Sequence, residues 1–286
     1  DLERTELIVA LILLVTGLYY NITMNDPYYL AFLRTTNNGF ALDWFSAAPR
    51  LTSFYGSVVC GNIGCVVAIL SFLNIENQER AKFWIPYLVG ALLAILTLQR
   101  SAMVAVLVMS SLLVVYFIKK RKLKLRFLFM ALLLIAIVIV ILKMRYPVMF
   151  DAIIYRFGQV NSAISDRNSG WQNAFSNGLF ATTFGFGFGT GGQRAIGLSL
   201  TTVNDGNYFK IIYELGFIGL ILFAYMLIRI LEKGIRDKKI VYVTIIICFL
   251  FQMIGSNLLT FGSTATLFWY AAGRIARSID EQEVNT

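Results

Sequence analysis

Arg50, Arg100 and Glu214 stand within or at the edge of long apolar runs, and Arg167 and Asp205 lie in the links beside them. Holding a charge in such a place is costly, so each is a candidate for function by default. A guanidinium fork binds phosphate oxygens in pairs, so arginines in this setting suit a diphosphate ligand. Arg100 lies in Leu98-Gln99-Arg100-Ser101-Ala102, where two apolar runs leave almost no loop. Either it snorkels to the headgroups or it faces a helix bundle and grips an anion. Arg167 comes one helical turn before Trp171, which puts guanidinium and indole on one face. That pair suits a sugar ring beside a phosphate; the plainer account is an ion pair with Asp166. Arg50 follows Pro49 at the mouth of an apolar run, and snorkelling explains it equally well.

Asp205 is the acid/base candidate. It precedes a helix expected from Tyr208 onward, where the helix dipole favours its anion. A carboxylate near cations can orient or deprotonate a hydroxyl; the alternative is an ordinary N-terminal cap. Glu214 lies on the same helix, about two and a half turns further on, and its role is open. The chain has no histidine, which removes Ser-His-Asp and Cys-His nucleophilic sites. The acids assigned to the outer side (Asp26, Asp43, Asp151, Asp166, Asp205 and Glu214) are scattered, so neither a metal nor a cofactor is expected. Five glycines fall within residues 185–192, but the run lacks the Gly-Lys-Ser/Thr ending of a nucleotide-binding loop. It reads as a turn whose backbone can approach a ligand closely, or as a re-entrant or mobile loop with no contacts.

These residues need elements to position them, and composition says what kind. Of 286 residues, 58% are hydrophobic and 14% charged, against about 25% charged in a soluble domain. Ala102–Ile118 and Phe127–Leu142 carry no charge. Runs of this length approach what crosses a hydrocarbon core, and they must be helical there. The reading is all-α: a polytopic membrane helix bundle forming one integral domain over residues 1–286. Eight segments are expected: Leu7–Tyr20, Leu51–Leu73, Phe83–Gln99, Ala102–Ile118, Phe127–Leu142, Leu215–Leu231, Ile240–Asn257 and Leu258–Gly273. Positive charge gathers in Lys119–Arg126 and Arg229–Lys239, which sets those links on the cytoplasmic side. The net charge of +9 therefore reports topology, and no nucleic-acid partner is expected.

Alternation sets Arg50, Arg100 and residues 143–214 outside. That 72-residue segment is too long for a connector. Phe150, Ile153, Ile154 and Phe157, then Trp171, Ala174 and Phe175, recur at helical spacing, which predicts two amphipathic helices on the membrane surface. Cys60, Cys65 and Cys248 lie in apolar runs and are expected as buried thiols. No signal peptide is evident at the start, and Ser278–Thr286 is expected to be disordered.

Three stretches then resemble the O-antigen polymerase and O-antigen ligase superfamily. Thr97-Leu98-Gln99-Arg100-Ser101-Ala102 is similar to its Thr/Ser-Arg-small motif at a helix start. Arg167–Trp171 with the later Gly-Phe-Gly run is similar to its external Arg…Trp…Gly-x-Gly stretch. Asn204–Gly219 is similar to its His/Asp-Asn-x-Tyr…Glu-x-Gly signature. Arg50-Leu51-Thr52-Ser53-Phe54 fits a looser Arg-x-x-Gly-x-Phe pattern, with Ser53 in the glycine's place and the phenylalanine one residue early.

The resemblance implies a membrane glycosyltransferase of the bacterial inner membrane, multi-pass, with a periplasmic active site and undecaprenyl-diphosphate-linked oligosaccharides as substrates. By carry-over, Arg100 and Arg167 bind the donor diphosphate, Arg50 assists an acceptor diphosphate, and Asp205 positions the acceptor hydroxyl. Trp171, Tyr208 and Glu214 join the substrate-binding set. Ligases begin the last signature with histidine, and the register to Gly216 gives that position to Asp205. This favours an O-antigen or capsule polymerase over a ligase. The family has more than eight spans, which implies helices preceding Asp1. Membrane lipids and a chain-length regulator protein are the other expected partners. The alternatives are ligation of finished glycan and export by a transporter or flippase, whose usual signs are paired repeats and charges at mid-membrane.

Overall fold

The computed structural model describes residues 2–22, 51, 53, 56–74, 84–119, 137, 140, 143–144, 147–158, 168, 172, 179–191, 203, 205–260 and 262–277. Among these, every regular element is helical. The chain divides into two compact units, Asp1–Gln159 and Val160–Thr286.

The first unit holds α1 (Leu2–Ile22), α2 (Ser57–Asn74), α3 (Trp84–Leu96), α4 (Arg100–Lys119) and α5 (Pro147–Gly158). Helix α2 is central and packs against α1, α3 and α4. Glycine sets its approach to α3. A Cβ on Gly64 would lie 2.7 Å from the Gly90 carbonyl oxygen, and one on Gly90 would lie 2.5 Å from the Ala68 nitrogen. Close backbone contact is how helices associate where leaving lipid gains an apolar side chain nothing. Leu13, Leu51, Cys60, Val67, Leu93 and Leu96 fill the space around α1, α2 and α3. The Leu51 N–H donates to the Leu96 carbonyl at 3.0 Å, and the Thr16 and Ser53 hydroxyls bond at 2.7 Å. The chain entering α2 is thus tied to both neighbours. On α4, Val104, Leu107, Leu112, Val115 and Ile118 are exposed, an apolar stripe that water alone does not favour.

The second unit holds α6 (Leu179–Phe184), α7 (Asn207–Arg236), α8 (Ile240–Gln252), a 3-10 turn at Leu258–Thr260, and α9 (Gly262–Ala276). Helix α7 breaks at Gly216, which takes φ 69°, ψ −174°. Beyond the break, Phe217, Ile218, Ile221, Leu222, Tyr225 and Ile228 are exposed. Helices α8 and α9 meet through the rings of Phe249 and Phe268, 5.5 Å apart. Gly234 lets α8 close on α7, since a Cβ there would lie 2.5 Å from Val243 Cγ2. Lys233 Nζ donates to the Ala276 carbonyl and Lys239 Nζ to the Arg274 carbonyl, each at 2.5 Å. Two cations of the Arg229–Lys239 cluster therefore hold the C-terminal carbonyls of α9, where positive charge is favoured.

Among the described residues, Asn207–Arg236 is the helix long and apolar enough to cross a membrane by length and composition. Leu7–Tyr19, Ser57–Leu73, Ile85–Leu96, Arg100–Leu112 and Ile240–Gln252 are apolar but shorter. The expected segment Leu215–Leu231 is the middle of the longer α7, and Ile240–Asn257 ends as helix at Gln252. Leu258–Gly273 starts as a 3-10 turn and becomes α-helical at Gly262. Phe127–Leu142 lies largely outside the described residues. Helix α5 covers the first expected amphipathic stretch; of the second, Trp171, Ala174 and Phe175 lie outside the described residues. Cys60, Cys65 and Cys248 are free and buried.

Candidate functional site

In the second unit the candidates that fall among the described residues, Asp205, Tyr208 and Glu214, lie at the head of α7. Asp205, partly exposed, comes two residues before the helix. Gly206, at φ 95°, occupies the N-cap position of the helix and has no side chain to cap it. Asp205 is therefore not the N-terminal cap that the sequence allowed.

The chain on both sides of Asp205 is fastened down. Before it, the Val203 carbonyl accepts from Asn257 Nδ2 at 3.0 Å. After it, buried Asn207 donates its N–H to the Met253 carbonyl at 2.9 Å. Asn207 Oδ1 accepts from the Leu259 N–H at 3.1 Å. The Tyr208 hydroxyl donates to the Leu250 carbonyl at 2.8 Å, which turns that hydroxyl toward α8. These bonds anchor Val203, Asn207 and Tyr208 to the corner between α8 and the 3-10 turn.

Glu214 lies two turns further along and is 7% exposed. Its Oε1 accepts from the Gly191 N–H at 3.1 Å and lies 3.6 Å from Lys210 Nζ, one turn back. A buried carboxylate needs such donors to offset its desolvation. Two residues later the break at Gly216 ends the helical ladder. The carbonyls of Tyr213 and Glu214, which residues 217 and 218 would meet in an unbroken helix, instead accept from the Phe186 and Gly187 N–H groups, both at 2.9 Å. Phe186 packs its ring 4.7 Å from that of Tyr213. Gly185 and Gly187 take φ of 80° and 102°, and a Cβ on Gly185 would fall on the Glu214 carbonyl. Likewise a Cβ on Gly216 would fall on the Thr183 carbonyl. The backbone of the glycine run does make a close approach, and its target is the broken turn of α7. Phe188 at its tip is 84% exposed.

In the first unit, Arg100 is the first residue of α4 and is half-buried. The turn Thr97–Gln99 delivers it there. Leu98 adopts φ 51°, buried Thr97 donates its hydroxyl to the Ala94 carbonyl at 2.7 Å, and the Gln99 carbonyl accepts from the Met103 N–H at 3.0 Å. Gly61 of α2 leaves room for this turn, with Thr97 Oγ1 3.0 Å and Ala102 Cβ 3.2 Å from where its Cβ would be. At a helix N-terminus the backbone amides add positive potential to the guanidinium, and the combination favours an anion. Arg50, Arg167 and Trp171 lie outside the described residues. Among the described residues, no three of His, Cys, Asp and Glu gather as a metal site would require.

The partners of Asn207 and Gly191 and the break at Gly216 escaped the sequence reading. The signal that was available is Glu214 itself: an acid inside an apolar run demands a donor, and the nearby glycine run offers unblocked amides.

Among the described residues α7 is long and apolar enough to cross a membrane, and the exposed apolar residues on α4 and α7 fit the class of helical membrane proteins. Residues 85–224 match the family model described as O-antigen ligase, and this match supports the resemblance to the O-antigen ligase and polymerase superfamily. The matched stretch runs from α3 into α7 and takes in Arg100, Arg167, Trp171, Asp205, Tyr208 and Glu214; Arg50 precedes it. No curated protein matches the chain, and no solved structure does.

Proposed function

We propose that this protein is a polysaccharide polymerase, acting on O-antigen or capsule at the outer face of the bacterial inner membrane. Its apolar helices form a multi-span bundle with Lys119–Arg126 and Arg229–Lys239 inside. One observation carries the choice of polymerase over ligase: a carboxylate, Asp205, heads the α7 signature where ligases carry histidine, and the chain has no histidine.

In this reading the substrates are two lipid-linked glycans. A hydroxyl of the acceptor repeat attacks the anomeric carbon of the donor glycan. The new glycosidic bond forms as the bond to undecaprenyl diphosphate breaks. Asp205 accepts the hydroxyl proton, and undecaprenyl diphosphate leaves with the bonding electrons. Arg100 and Arg167 neutralise the departing diphosphate, so the step needs no metal. Arg50 steadies the acceptor diphosphate, and Trp171 stacks on a sugar. The Tyr208 hydroxyl and Glu214 Oε1 are engaged within the fold, and these residues shape the site from behind. The description of the matched family as O-antigen ligase supports one second reading, transfer of finished glycan to a different acceptor.

Purified protein supplied with lipid-linked repeats alone separates the two. Products several repeats long are expected; a protein that acts only when another acceptor is added is a ligase. Arg100→Ala at normal protein level is expected to abolish long-chain glycan in cells, and undiminished chains would reject the assignment. Asp205→Asn should lower turnover by about 10²–10⁴-fold, the range for loss of a general base.

A further inference from the structure

The bonds around Glu214 form a path that ends at Val203, two residues before Asp205. Glu214 Oε1 holds the Gly191 N–H at 3.1 Å. The Gly191 carbonyl in turn accepts from the Val203 N–H at 3.1 Å. Val203 is two residues from Asp205, and its side chain is buried with Tyr213, the neighbour of Glu214. The Val203 carbonyl takes the Asn257 amide on the other side. Val203 is thus held between two partners, and one of them is Gly191. Gly191 also lies against Tyr213 and Glu214, so that a Cβ on it would come 3.1 Å from Tyr213 Cδ1 and 3.3 Å from Glu214 Oε1.

We infer that Glu214 is a positioning residue, which sets the location of the Asp205 carboxylate through Gly191 and Val203 and never touches substrate. The inference rests on the polymerase reading for the consequence of misplacement, and on the bond path alone for the positioning itself. Lys210 is the rival explanation for a buried Glu214, because its Nζ lies 3.6 Å from the same oxygen. The two partners ask for different things. The Gly191 N–H needs an acceptor at the right distance, charged or not. Lys210 needs a negative charge and, with a flexible side chain, tolerates a shorter one.

Two substitutions separate them. Glu214→Gln keeps an oxygen at the same reach without the charge. Glu214→Asp keeps the charge and withdraws it by one methylene. Polymerisation from lipid-linked repeats and amide hydrogen exchange are measured on each full-length protein in detergent or vesicles. With Glu214→Gln, kcat is expected to stay within about threefold of the parent, since the acceptor is preserved. With Glu214→Asp, kcat should fall by about a hundredfold, the scale of a displacement near 1 Å, while KM stays within about twofold. The same variant should speed exchange in peptides covering residues 191 and 203–207 and leave α8 and α9 protected. Rescue by Asp and failure by Gln would show that the charge on Lys210 is what matters, and would overturn the inference. So would unchanged exchange at residues 203–207 in Glu214→Asp. In the parent protein the Gly191 amide must exchange slowly; fast exchange there overturns the inference even if no variant folds. If the parent makes no polymer, the polymerase reading fails, and the exchange data still decide the positioning.

Discussion

Asn207 uses its N–H and its side-chain oxygen on two different partners, Met253 and Leu259. It joins the head of α7 to the corner after α8. Asn207→Ala leaves the Leu259 N–H without its acceptor in a partly buried place, which costs about 1–3 kcal/mol. Thermal unfolding in detergent should show the loss, and Asn207→Asp, which keeps the oxygen, should show less of it. The neighbouring Asp205 was the more legible residue in the sequence, because a carboxylate before a long apolar helix stands out by its charge. Asn207 did not stand out, since an asparagine there reads as turn composition. Its importance comes from Met253 and Leu259, about fifty residues away, and no local pattern signals a bond of that length.

At the scale of elements, the break in α7 is the feature that local reasoning misses. An isolated glycine in an apolar run costs a helix only about 1 kcal/mol, so Gly216 reads as an ordinary helical position. The structure puts it at φ 69°, ψ −174°, a region that glycine alone occupies readily. Gly216→Ala must bear that backbone strain, of order 1–3 kcal/mol, and also a methyl group driven into the Thr183 carbonyl. The yield of folded protein should fall sharply. Gly273 in α9 is the contrast: nothing lies within 4 Å of where its Cβ would be. Gly273→Ala should raise stability by about 0.5–1 kcal/mol, read as a higher melting temperature. The glycine run showed in the sequence as a place where no helix continues, and that much holds. Its partner did not show, because the amides of Phe186 and Gly187 meet a helical turn that exists only once α7 has broken.

For the molecule as a whole, the apolar runs that fall among the described residues foretold where helices form, as expected where hydrocarbon would leave the backbone no other way to satisfy itself. They foretold lengths less well. Helix ends depend on turns such as Thr97–Gln99 and the 3-10 turn at Leu258, which are fixed by packing and not by hydropathy. The orientation of α7 is open to direct test. A membrane-impermeant maleimide should label Phe188→Cys in intact cells and Lys238→Cys only after lysis. The native thiols are buried and should contribute little background.

The crossing of α2 and α3 has a genetic consequence. Gly64 and Gly90 face each other with nothing left to remove on either side. When a bulky residue intrudes into most protein interiors, trimming a neighbour can restore the fit. Here no smaller amino acid exists. A second-site screen starting from Gly90→Ala should therefore recover no revertant at Gly64. Relief would have to arise along the rest of α2 or α3, by letting the whole pair tilt.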